Sequence, residues 1–354
     1  MKKRILSLLM AFVMVVSLLP ASVLAAETVT EISSAEAFAA MPANGSYKLT
    51  QDIEVTTPYK STFKGTFDGD GHTVTLKLNV TSGNAGLFSE TGSGAVIENV
   101  EVSADVTSNV ASSSYGTAGL VGKVSGATTI TNCGVTGTVS NTSTNSYYAV
   151  RIGGLVGYLS AALELNSCYN QANINSASTN SSSAAGGLIG GSSSAYSVNA
   201  QNCYSSGNIT AKNYAGGLIG YLNSRAKTTY SSAIPHTYTN CYTAGTVTGG
   251  SNKAYNFAYA YSVAAATFKN CYFNNESDSK GCNGAVSNLE AKSTDELKGL
   301  AGALGGGFLA DKRNINNGYP ILDWQYFDPD AKYTVTFNVE PTDSVLTWNG
   351  KVQT

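Results

Sequence analysis

Residues 153–174 read GGLVGYLSAALELNSCYNQANI, and the rest of the chain is best read outward from that stretch because it recurs. Residues 118–139 read AGLVGKVSGATTITNCGVTGTV, and 186–209 read GGLIGGSSSAYSVNAQNCYSSGNI. Residues 216–247 open with GGLIGYL and close with TNCYTAGTV. An earlier copy at 85–106, AGLFSETGSGAVIENVEVSADV, carries Val100 where the others carry Cys, and ATFKNCYF at 266–273 keeps the second half alone. Leu87, Leu120, Leu155, Leu188 and Leu218 lie 33, 35, 33 and 30 residues apart. Length varies between the motifs while the motifs stay constant, as an architecture of stacked supersecondary units permits.

Each copy holds three short apolar runs separated by Gly, Asn and Ser. Runs this short with such punctuation are strands, and the Ala/Leu/Glu/Lys-rich helices of α-helical repeats are absent. The expected fold class is all-β: a right-handed parallel β-helix (β-solenoid) of about seven coils with short helical caps, each coil stacked at the strand spacing. An apolar residue lies three before the Cys position: Ile97, Ile130, Leu165, Ala200, Tyr238 and Phe268. Two residues between two inward side chains break the strand alternation, so the chain must bend there. Asn99, Asn132, Asn202, Asn240 and Asn270 occupy that bend; Asn tolerates left-handed backbone and offers an amide to its neighbours. Ser167 replaces it in the third copy. The pattern predicts an outer Asn ladder (Asn132, Asn202, Asn240, Asn270) and an inner Cys ladder (Cys133, Cys168, Cys203, Cys241, Cys271). Parallel side chains in register have poor disulfide geometry, so these five are read as buried thiols. Cys282 either pairs with Cys271 or stays a single exposed thiol.

Through its GGLVGYL and NCY..G.V blocks the chain resembles the GLUG-motif family of bacterial surface proteins, over about 85–275. That resemblance implies a secreted or cell-surface, adhesin-like setting; it brings no catalytic residues with it.

The two ends differ from the middle. Residues 1–26 have a basic start, an apolar core and a Val-x-Ala end, the pattern of a cleaved signal peptide. The expected divisions are 27–60 as an N-terminal cap, 61–275 as the GLUG-like solenoid, 276–326 as a C-terminal cap, and 327–354 as the start of an Ig-like or PEGA-like β module. Short helices beginning near Ser33 and Ser293 are read as end plugs. After signal cleavage no transmembrane segment is expected, and surface attachment is expected through a region not present here.

Charge decides among function classes. Residues 107–275 hold one acid, Glu164, against seven bases, between acidic flanks. Seven bases over that length is too dilute for a nucleic-acid footprint. One acid leaves the middle short of the two carboxylates that glycoside cleavage uses or the cluster a calcium-assisted lyase needs. In Asp68-Gly69-Asp70-Gly71 a turn is favoured over a metal or acid/base site. No metal and no cofactor are expected. The leading expectation is therefore an adhesin-like, carbohydrate- or protein-binding module, with glycans or host or cell-surface proteins as partners. A polysaccharide-degrading β-helix enzyme and a passive spacer are the alternatives. Binding candidates are loop residues with amphipathic rings or positive charge: Tyr147, Tyr148, Arg151, Tyr214, Arg225, Lys227 and Tyr255.

Overall fold

The computed structural model describes residues 28–192, 196–222, 235–251, 253–260, 266–276, 280–283 and 286–326. The expected signal peptide and the module at 327–354 lie outside them, as do Arg225 and Lys227.

The recurring motifs become register partners. The strand Thr128–Asn141 lies parallel to Ala95–Ser108, with Ile130 against Ile97, Cys133 against Val100 and Val139 against Val106. The next copy breaks the same path into Leu163–Asn166, Tyr169–Asn170 and Asn173–Ser176, all parallel to Thr128–Asn141. The bend behaves as a backbone device. Asn99, Asn132, Ser167, Asn202, Asn240 and Asn270 all have φ between 50 and 54° or within a degree of it. A left-handed residue there lets Ile130 and Cys133, three apart, both point inward at 0 % exposure. The Asn132 amide donates to Asn99 at 3.0 Å, Asn240 to Asn202 at 2.9 Å, and Asn270 to Asn240 at 3.1 Å. No side-chain bond crosses Ser167 among the described residues.

Glycines set the other wall. A Cβ on Gly157 would lie 2.4 Å from the Thr117 nitrogen, and one on Gly190 2.5 Å from the Gly157 carbonyl oxygen. The short strand before each Leu-bearing motif and the strand after it therefore touch main chain to main chain, which a side chain would prevent.

The expected right-handed parallel β-helix with end caps is corrected. The described residues are mostly strand, 52 %, with 6 % helix, and include a closed ring of six parallel strands beside a further parallel sheet. The strands gather into a 17-stranded sheet, a 12-stranded sheet and a separate antiparallel pair, Phe308–Leu309 with Ile321–Leu322. The ring arises in the larger sheet. Long strands at Thr128–Asn141 and His236–Thr243 each span the first two of the segments into which the two copies between them are broken. Counting short apolar runs shows that strands exist, not which of them merge across a left-handed bend.

The rear helices are not an end plug. Thr294–Lys298, held by a Ser293–Glu296 capping box, begins a segment that runs back along the side of the stack. Leu297, Leu300, Leu304, Phe308 and Leu322 pack there on Tyr169, Tyr204, Tyr242 and Tyr272, forming a second core. At the front, the helix Ala35–Ala39 buries Phe38 among Tyr59, Phe67 and Phe88, with ring centroids 5.4–5.9 Å apart. Burying such a ring is worth about 2–3 kcal/mol.

All six cysteines are buried, and none forms a disulfide. Burial pushes the thiols of Cys133, Cys203 and Cys271 up. Cys282 is 6 % exposed and aligns with Ala258 in the smaller sheet, so it is neither an exposed thiol nor a disulfide partner of Cys271.

Candidate binding face

Repeat position determines what the smaller sheet presents. Glu90, Lys123, Tyr158, Gly191 and Tyr221 are successive register partners, one per copy. A short strand runs beside each, and there Gly116, Arg151, Ala184 and Tyr214 form a parallel row. The two rows meet at Gly191. A Cβ there would lie 3.1 Å from Arg151 Cδ, so the missing side chain is the notch that admits the guanidinium.

Arg151 was expected in an exposed loop; it is 5 % exposed and opens the strand Arg151–Gly153. Its Nη1 donates to the carbonyls of Ser182 at 2.5 Å and Val150 at 3.2 Å, and its Nε finds no partner. The guanidinium lies 5.6 Å from the Tyr221 ring centroid, a cation–π distance. Burial pulls it down to about 10, against nearby Tyr158, Tyr221 and Tyr214, so it remains a cation at neutral pH. No salt bridge neutralises it among the described residues. A buried charge without a counter-ion is expensive, and ring faces and carbonyl dipoles recover only part of that cost.

Around it the tyrosines gather. Tyr214 lies 5.1 Å from Tyr221 and 4.6 Å from Tyr259; Tyr221 stacks on Tyr259 at 5.3 Å and 15°; Tyr255 lies 5.3 Å from Tyr259. All four are half-buried. Lys253 sits 4.7 Å above the Tyr214 ring and donates to the Ser181 carbonyl at 3.1 Å. Burial raises Tyr259 to about 12, helped by Tyr214. At the other end Lys123 approaches Glu90 at 3.9 Å.

Of the expected candidates, the fold brings Arg151, Tyr214 and Tyr255 together. Tyr147 and Tyr148 stand on a loop, 86 % and 54 % exposed, and no ring contact joins them to the cluster. That loop belongs to an ordered ledge: Asn180 Nδ2 donates to the Ser146 carbonyl at 2.8 Å, and Asn213 Nδ2 to that of Asn180 at 2.8 Å. Sequence reasoning missed Tyr158, Tyr221 and Lys123. Their signal was the residue after the Leu-x-Gly that four copies share, which varies as Lys, Tyr, Gly, Tyr while the Gly before it does not.

The front acids make a turn. Asp68 Oδ1 accepts from the Asp70 nitrogen at 2.8 Å, and Asp70 and Gly71 have φ of 51 and 81°. His72 contacts Asp52 at 3.2 Å on the surface. No cluster of three or more metal-ligating side chains occurs among the described residues. Nor is any helix there long and apolar enough to cross a membrane.

No family model matches the chain, and no curated protein matches it. Among solved structures it is similar to a protein from Bacteroides ovatus named as a candidate immunoglobulin A1 protease. The TM-score is 0.59 and the identity 21 %, covering 83 % of this chain and 92 % of that one. At that identity the likeness is one of fold.

Proposed function

We propose that the chain is a secreted, adhesin-like binding module of the GLUG-motif type, whose ligand is an acidic glycan held on the tyrosine face. The observation that carries this reading is the half-exposed stack of Tyr214, Tyr221, Tyr255 and Tyr259 beside the cations Arg151 and Lys253. Tyrosine rings offer flat apolar faces with polar tips, suited to sugar rings. Arg151 and Lys253, with no salt bridge to either among the described residues, favour an anionic partner.

Cleavage has weaker support. The name of the structural neighbour speaks of a protease, and that name belongs to the neighbour. The cleft at the front of the same face has Glu90 as its one lining carboxylate, where glycoside hydrolysis ordinarily uses two.

The test is an array of neutral and acidic glycans probed at low and moderate salt. Binding is expected to acidic glycans, to weaken with salt, and to fall about tenfold or more in Tyr221→Ala and in Tyr259→Ala. Absence of binding to every glycan on the array overturns the proposal.

A further inference from the structure

We infer that the tyrosine face is one end of a longer site, and that its occupant is an extended acidic polysaccharide lying across the strands. This rests on the glycan-binding reading above and specifies the shape of the ligand.

The second end is a cleft of about 570 Å³ at the front of the same sheet. Its walls include Lys60, Asn79, Asn84, Glu90 and Tyr115. Tyr115 is 43 % exposed and immediately precedes Gly116, the register partner of Arg151. A concave, polar space of this size with one aromatic wall suits a small number of sugar units. Asn84 is already oriented, its Oδ1 accepting from the Gly116 nitrogen at 3.0 Å.

Cleft and cluster are joined by one row of side chains. Glu90 lines the cleft and meets Lys123; Lys123 is in register with Tyr158; the row continues through Gly191 to Tyr221. From Glu90 to Tyr221 is four strand steps, about 19 Å. Stacked parallel strands repeat one register position at every step along a line, so a linear polymer can follow that line across the sheet. Arg151 fills the Gly191 gap with positive charge, and Lys60, Lys123 and Lys253 place three further cations along the path. A chain long enough to reach both ends gains the second contact at high effective concentration, whereas a short oligomer gains one.

The experiment uses the full chain and two size-graded series, oligogalacturonides and hyaluronan oligomers, from disaccharide to decasaccharide, by titration calorimetry. In at least one series Kd is expected to fall at least about tenfold between the shortest and longest members. Lys60→Ser with Tyr115→Ala, both exposed and outside the core, is expected to remove that gain, so that the longest oligomer binds no more tightly than the shortest. Tyr221→Ala is expected to weaken every length. Binding of equal strength at all lengths, or a length gain that survives the cleft substitutions, overturns the extended-polymer inference and leaves the binding reading standing. No binding at any length in either series overturns both.

Discussion

Two groups of tyrosines stand on different sheets of this molecule and have met different fates. Tyr169, Tyr204 and Tyr242, each just after a cysteine of the repeat, stack at 5.1–5.3 Å with interplanar angles of 8–10°. Every hydroxyl in that column is engaged. Tyr169 donates to Glu101 at 2.7 Å, Tyr204 to Gln325 at 2.9 Å, and Tyr242 to the Pro320 carbonyl. The segment from Thr294 to Tyr326 covers them, and Trp324 Nε1 latches onto the Ser167 carbonyl at 2.9 Å. Tyr214, Tyr221, Tyr255 and Tyr259 stack almost as closely yet stay half-open, with cations and, among the described residues, no strap beside them. Stacked aromatics are thus compatible with structure or with recognition. What separates the two is whether the chain itself supplies the cover.

The comparison breaks most easily at Tyr204. Its ring is fully buried between two others, so Tyr204→Ala loses packing and one hydrogen bond each to Gln171 and Gln325. About 3–5 kcal/mol of stability is expected to go, as for other large-to-small aromatic changes in cores. Tyr221→Ala, on the open side, is expected to cost less, about 1–2 kcal/mol for a half-buried ring with one cation–π contact. Urea unfolding of the two variants checks this. Equal losses would mean that the open cluster is also structural and would remove the ground for treating it as a site.

Acid separates the two sides by a different route. His236 lies inward in the larger sheet, 1 % exposed, between Val198 and Ala266, and neither ring nitrogen has a partner. Burial pulls it down to about 4. A base whose folded value is depressed favours the fold while it is neutral. Its contribution is full above the unfolded value near 6.5 and is lost as pH falls from there toward 4. The loss is expected to be about 3 kcal/mol across that window. His236→Val is expected to flatten the acid limb of stability measured by denaturant titration at several pH values. An unchanged acid limb would mean that other groups, not His236, set it.

The sequence made some of this legible and hid the rest for definite reasons. The spacing of Ile97, Ile130, Leu165, Ala200, Tyr238 and Phe268 identified residues that are indeed register partners, because a constant repeat length puts like positions side by side. The left-handed bend was readable too, since inward residues three apart allow few other backbones. How strands merged into two sheets was not readable, because one bend can either interrupt a strand or pass through it, as Ser167 and Asn132 do respectively. The strap was hidden because a Tyr after Cys looks the same whether it faces water or protein. Arg151 looked exposed because it follows a polar loop; its burial depends on Gly191, one repeat later, which no local window reveals.

The smallest effect tests the covered side from its seam. The Asn ladder runs Asn99–Asn132 and Asn202–Asn240–Asn270, with Ser167 between the two halves. Ser167 holds a φ of 51° that asparagine adopts at lower cost, and its short side chain reaches neither neighbour. Ser167→Asn would place an amide where it could accept from Asn202 and donate to Asn132, closing the gap. The Trp324 latch uses the Ser167 carbonyl, so the backbone contact survives the change. A gain of about 0.5–1.5 kcal/mol is expected, one net hydrogen bond plus relieved backbone cost, read as a higher midpoint in thermal unfolding. A lower midpoint would show that Gly307, which lies within 3.2 Å of Asn202 Nδ2 at its would-be Cβ, and the strap around it leave no room for a longer side chain. In that case the serine is there for the strap, and the ladder was interrupted so that the tyrosine column could be covered.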